Sequence, residues 1–247
     1  PPSTRAKTAG RFVIFDKSHK KEHGVFLFRD ENIGVQFQLP LIGPGKDLSS
    51  DTLAFPHCSG IFDWPVNKYL PVMLPELTFG DQVIVPSYYG KNCVTGIGLK
   101  KSFYLRFEQP DLVKTDGSFA YGLGSCQVQW SFGDGKVQSE FVFKVKNPVS
   151  MDKMRLALVI GSPHSTYRLG TTLRQGDAGL RANVEVDDFQ ASWGSFETVT
   201  EDTDYRGYAG NIHYVQYLVR DHPLKMRPGQ QYKLVLSYHP DVAFADE

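Results

Sequence analysis

Alternation of apolar and polar residues with a period of two recurs from Arg11 to His239 between clusters rich in Gly, Pro and Asp, and no stretch sustains the i, i+3, i+4, i+7 spacing of an amphipathic helix. Successive side chains of a strand point to opposite faces, so this period buries one side of a sheet and wets the other. In Glu140-Phe141-Val142-Phe143-Lys144-Val145-Lys146 the residues Phe141, Phe143 and Val145 share one face, against Glu140, Lys144 and Lys146 on the other. Phe103, Leu105 and Phe107 alternate likewise with Tyr104, Arg106 and Glu108, and Leu180, Ala182, Val184 and Val186 with Arg181, Asn183, Glu185 and Asp187. Antiparallel sheets with one solvated side carry this pattern.

Turn chemistry agrees with the strands. Asp116-Gly117 and Asp134-Gly135 each separate two alternating segments, and Asp-Gly supplies the positive φ angles of a tight hairpin. Met226-Arg227-Pro228-Gly229-Gln230-Gln231-Tyr232 resembles the Leu-x-Pro-Gly-x-x-Tyr turn of immunoglobulin-like sandwiches, with Met226 in place of Leu. The resemblance implies that the Tyr232 hydroxyl binds backbone upstream at a strand corner. The expected fold is all-β: an antiparallel β-sandwich or jelly roll with little helix, forming a single domain over residues 1–247.

With 41% hydrophobic and 13% aromatic residues the chain can bury a core, which excludes a disordered protein. Its 27 basic and 27 acidic residues balance, so bulk charge gives no nucleic-acid footprint. No apolar run is long enough to span a membrane as a helix. Cys58, Cys93 and Cys126 lack Cys-x-x-Cys spacing and are expected as buried thiols. There is no Asn-x-Ser/Thr sequon and no secretory h-region in residues 1–10, so the sequence assigns no compartment. The Pro-Pro start is expected of a processed chain or a piece of a larger protein. Oligomeric state has no signature here.

Proline and glycine cluster in residues 39–45 and in residues 63–86, which hold Pro65, Pro71, Pro75 and Pro86. Proline cannot donate to a central ladder, so both stretches are predicted to be long loops, where sites are commonly built. Around the second lie His57, Trp64, Tyr69, Tyr88, Tyr89, Lys91 and Asn92. Sugars stack their apolar faces on aromatic rings and hydrogen-bond to amides and charged groups, so His57, Trp64, Tyr69 and Asn92 are read as ligand-binding. The expected function is contact with a poly- or oligosaccharide, by an accessory domain of a carbohydrate-active protein or by a polysaccharide lyase. β-Elimination of a uronide needs a Tyr or His base and a cation or amide to neutralise the carboxylate. Tyr88, Tyr89, Lys91, His164, Tyr167 and Arg168 supply those types. The alternative is a structural or interaction domain without catalysis, such as a capsid spike or an adhesin.

Residues 183–205 carry seven acidic residues and no Lys or Arg. Hard cations want several carboxylate oxygens, so Glu185, Asp187, Asp202 and Asp204 are candidate Ca2+ ligands. Glu185-Val186-Asp187-Asp188-Phe189-Gln190 partly resembles the Glu-x-Asp-x-x-Glu strand of laminarinase-like glycoside hydrolases. The resemblance implies Glu185 as nucleophile and Asp187 as its modulator, but Gln190 stands at the acid/base position, and an amide cannot protonate a leaving oxygen. His19-Lys20-Lys21-Glu22-His23 has the letters of the inverted zinc-protease motif, which needs a helix to put both imidazoles on one face. It falls between two predicted strands and is read as a polar hairpin loop.

Overall fold

The structure is a computed structural model. It describes the backbone of residues 8–17, 22–30, 35–41, 72–84, 91–97, 103–114, 118–133, 136–162, 166–169, 172–175, 178–190, 196–207 and 210–239. Side chains are described for residues 75–84, 91, 92, 94, 96, 103–114, 118–131, 138–156, 185–190 and 220–237.

Among the described residues the chain forms strands β1 (Thr8–Lys17), β2 (Glu22–Asp30), β3 (Val35–Leu41), β4 (Val72–Phe79), β5 (Gln82–Ile84), β6 (Lys91–Ile97), β7 (Phe103–Gln109), β8 (Leu112–Val113), β9 (Phe119–Ala120) and β10 (Gly124–Gly133). There follow β11 (Lys136–Val145), β12 (Val149–Met151), β13 (Lys153–Ser162), β14 (Thr166–Leu169), β15 (Thr172–Gln175), β16 (Ala178–Glu185), a 3-10 turn at Asp187–Phe189, β17 (Phe196–Gly207), β18 (Gly210–Arg220), β19 (Leu224–Met226) and β20 (Tyr232–His239). The 3-10 turn is the one helical element among them.

The protein is all-β and its sheets are antiparallel. The largest has eight strands in the order β14-β15-β16-β20-β11-β10-β7-β6; beside it stand a five-stranded sheet β17-β18-β13-β4-β5, a three-stranded sheet β1-β2-β3, and the pairs β12-β19 and β8-β9. The β10-β11 ladder ends with Gly133 opposite Lys136, leaving two residues, Asp134 and Gly135, between the paired ends. That spacing agrees with the hairpin predicted from Asp-Gly.

The alternation decides which face is buried. Leu105 and Phe107 on β7, Val128 and Trp130 on β10, Phe141 and Phe143 on β11, and Leu234 and Leu236 on β20 are buried on one side of the large sheet. Trp130 meets Phe141 edge-on, with ring centroids 6.4 Å apart and planes at 83°. Such T-shaped pairs contribute about 0.5–1.5 kcal/mol beyond their area burial. On the five-stranded sheet Leu77, Met154 and Leu156 are buried. Cys126 is buried and unpaired, and burial pushes its thiol pKa up.

Two proline-rich stretches read as loops contain strands. Pro40 lies in β3, an edge strand, opposite Val25 of β2. Pro75 lies in β4 opposite Leu156 of β13, while β5 pairs with β4 only from Leu77 onward. In both places the described residues leave one flank of the strand unpaired at the proline, and a proline whose missing N–H faces such a flank removes no ladder bond.

The corner before β20 forms as its sequence implies. Gln230 N–H donates to the Arg227 carbonyl at 3.3 Å across a turn with Pro228 and Gly229 at its centre, and Gly229 has φ 82°. Proline then glycine at these positions is the chemistry of a type II turn, whose third residue needs positive φ. Arg227 N–H donates to the Tyr232 hydroxyl at 2.8 Å, and that hydroxyl donates to Gln230 Oε1 at 2.9 Å.

The strand expected through residues 185–190 ends at Glu185. Asp187–Phe189 turns instead, and Gln190 takes a left-handed φ of 47°. The turn buries Phe189, which packs on Phe143 at 5.7 Å and on Tyr232 at 5.9 Å. Asp188 Oδ2 accepts the Lys233 N–H at 2.9 Å, fixing the turn to β20. Asp187 therefore does not continue the carboxylate alternation that the laminarinase-like pattern requires.

Arg220, at the end of β18, secures the same region from the other side. It is 5% exposed, and its guanidinium donates to the carbonyls of Phe189 (3.1 Å), Gln190 (2.7 Å), His222 (2.7 Å) and Pro223 (2.8 Å). A planar fork with five donors suits four converging carbonyls.

Candidate functional site

Among the described side chains on the wet face of the large sheet, polar and aromatic groups gather where β6, β7 and β10 adjoin. Alternation puts Tyr104, Arg106 and Glu108 outward from β7, and Gln127 and Gln129 outward from β10, while their neighbours in sequence enter the core. Register sets them in rows. Glu108 stands opposite Gln127 and Lys91, Arg106 opposite Gln129 and Val94, and Tyr104 opposite Ser131 and Gly96.

A bulge shapes one end of this face. Between Lys91 and Val94 the strand β6 advances three residues while β7 advances two, from Glu108 to Arg106. Asn92, inside the bulge, has φ 56°. Asparagine tolerates this left-handed geometry better than most side chains, and bulges re-aim the side chains they carry. Asn92 Nδ2 donates to Glu108 Oε2 at 3.0 Å, and Gln127 Nε2 donates to Glu108 Oε1 at 3.3 Å. Both carboxylate oxygens are thereby held by amides from neighbouring strands, and the array is fixed before any ligand arrives.

Glycine shapes the other end. A Cβ placed on Gly96 would stand 2.5 Å from the Tyr104 hydroxyl oxygen and 2.6 and 2.7 Å from its ring carbons. The phenol therefore lies across the adjoining strand and occupies the space a side chain would fill. Tyr104 is half-buried in this position, and Val94, 42% exposed, lies on the same face. Arg106 is exposed between the ring and the amide–carboxylate cluster and makes no ion pair or hydrogen bond among the described residues. Farther along the face, Lys233 Nζ pairs with Glu140 at 2.8 Å. The hydrogen bond that Lys233 donates to Glu140, with the charge of Glu140 and those of Glu185 and Asp188, raises the Lys233 pKa. Chemically the surface offers a ring, a guanidinium, and fixed amide and carboxylate groups, all suited to holding a polar ligand.

Of the residues singled out in the sequence, Lys91 and Asn92 are in this array. Tyr167 and Arg168 are on β14, at the opposite end of the strand order from β6. Seven interstrand spacings of about 4.8 Å separate the two edges along the sheet. Glu185 closes β16 and Asp187 lies in the turn after it, whereas Asp202 and Asp204 lie on β17 of the five-stranded sheet, with side chains outside the described set. Among the described residues no group of three or more His, Cys, Asp or Glu is placed to hold a metal ion. His57, Trp64, Tyr69, Tyr88, Tyr89 and His164 lie outside the described residues. Tyr104, Arg106, Glu108 and Gln127 were not singled out, although the alternation already put the first three on the wet face; what was not visible was the neighbour of each across the sheet.

No helix among the described residues is long and apolar enough to cross a membrane. No known protein family and no curated protein matches the chain.

Proposed function

We propose that this is a carbohydrate-binding β domain, with the large and the five-stranded sheets packed face to face as a sandwich and the ligand lying across β6, β7 and β10. The buried apolar face on each of the two sheets supports the sandwich, since an amphipathic sheet needs another layer to cover it. The observation that carries the functional reading is the Tyr104 ring laid over Gly96 beside the Asn92–Glu108–Gln127 cluster. Sugar recognition asks for this pairing of an aromatic surface with directional donors and acceptors already in place. Tyr88 and Tyr89 precede Lys91 by three and two residues in the chain and belong to the same proposal as sugar-contacting residues. His57, Trp64 and Tyr69 belong to the same proposal as ligand-binding residues.

Binding is favoured here over β-elimination because Lys91 and Asn92 stand on one edge strand of the large sheet and Tyr167 and Arg168 on the other. The test is a glycan array followed by calorimetric titration of hits, with an absorbance assay for unsaturated uronates run in parallel. The proposal expects a hit whose affinity falls at least tenfold in Tyr104→Ala with an unchanged melting temperature. Release of unsaturated product would restore the lyase reading. No binding at millimolar glycan would overturn the proposal in favour of a structural or protein-interaction domain.

A further inference from the structure

Resting on that reading, we infer that the face selects glycans bearing uronic acid residues, with the Arg106 guanidinium receiving the sugar carboxylate. The carboxylates nearest Arg106 already accept from other donors. Glu108 accepts from Asn92 and Gln127, and Glu140 is paired with Lys233 at 2.8 Å. Arg106 is exposed and has no partner among the described residues, so its guanidinium has donors to give. Its planar fork matches a carboxylate in bidentate geometry, which a neutral sugar hydroxyl cannot reproduce.

Position supports the assignment as well. Arg106 and Tyr104 are two residues apart on one face of β7, a separation of about 6.8 Å between backbone positions. A pyranose stacked on the tyrosine ring would bring a carboxylate on C5 within reach of the flexible arginine. Val94, opposite Arg106 on β6 and 42% exposed, gives the same sugar an apolar edge. The Glu108 carboxylate, held by neutral amides and so keeping its charge, stops the surrounding potential from favouring polyanions indiscriminately, and selection falls to the geometry in which a carboxylate meets the fork.

The experiment titrates the protein with galacturonate and alginate hexamers, each beside its carboxyl-reduced form, and with single-stranded RNA as a polyanion control. The wild type should bind at least one uronide tenfold or more tighter than the reduced form. Arg106→Gln should abolish that preference, so that the variant binds the acid and the reduced oligomer with equal affinity, and Arg106→Lys should restore part of it. Equal binding of acid and reduced forms, or insensitivity of the preference to Arg106→Gln, overturns the uronate assignment and leaves carbohydrate binding standing. RNA binding as tight as the uronide overturns it too. Failure of every oligosaccharide, with thermal melts showing all proteins folded, removes both proposals together.

Discussion

Replacing Arg220 by methionine keeps an unbranched apolar stem and deletes four donors at once, making it a direct probe of what holds the turn after β16. The bond to the Phe189 carbonyl is buried, whereas those to Gln190, His222 and Pro223 are partly so. Losing a buried bond from a charged donor costs about 1.5–3 kcal/mol, and each partly buried carbonyl can turn to water at a cost nearer 0.5–1 kcal/mol. Removing an isolated buried cation also removes its desolvation penalty, which offsets part of the loss. The net expectation is a destabilisation of about 2–4 kcal/mol, or about 5–15 °C in Tm for a chain of this size. Urea denaturation monitored by fluorescence measures it, with the m-value checking that the transition keeps its breadth. Hydrogen exchange adds a local readout: the Phe189 and Gln190 amides, bonded to the Val186 and Asp187 carbonyls, should lose protection before the rest of the sheet. Arg220→Lys should recover about half the loss, because one ammonium cannot reach four carbonyls. A methionine variant within about 0.5 kcal/mol of wild type, the range of ordinary surface substitutions, would refute the clamp.

Further outcomes test other parts of the fold. Tyr232→Phe orphans the Arg227 N–H and should cost about 1–3 kcal/mol by thermal or urea denaturation. Trp130→Ala removes a fully buried indole and should cost about 3–5 kcal/mol, whereas Tyr121→Ala, at a residue 64% exposed, should cost far less in the same assay. Glu140 raises the pKa of Lys233, and a raised lysine contributes stability below its ordinary pKa that is lost as pH rises through the folded value. NMR titration of the Lys233 ammonium should therefore show a midpoint above that of an ordinary lysine, returning toward it in Glu140→Gln.

Much of the fold could be read from the chain because burial here follows a period of two. Phe141, Phe143 and Val145 are buried and Lys144 and Lys146 exposed, as alternation alone dictates. The prolines were misread because a strand tolerates Pro40 or Pro75 only where one flank is unpaired, and that depends on strand order rather than on neighbours in sequence. Asp187 was misread because burial of Phe189 against Phe143 and Tyr232 outweighs local alternation, and those partners are more than forty residues away in sequence. The candidate site was legible by parts. Asn92 was chosen for its chemistry and Tyr104 passed over as a wet-face residue, since the bulge that aims the one and the glycine that seats the other belong to cross-strand register.

Seating of the Tyr104 ring on Gly96 makes the functional account most directly testable by NMR titration of wild-type protein and Gly96→Ala with a glycan identified on the array. A methyl group at Gly96 must displace the ring, since it would stand 2.5 Å from the hydroxyl oxygen. The account predicts wild-type shift changes clustered on Asn92, Gly96, Tyr104, Arg106 and Gln127, and at least tenfold weaker binding in a Gly96→Ala variant that keeps its core resonances. Shift changes centred elsewhere on the molecule, or full affinity in the folded variant, would contradict it.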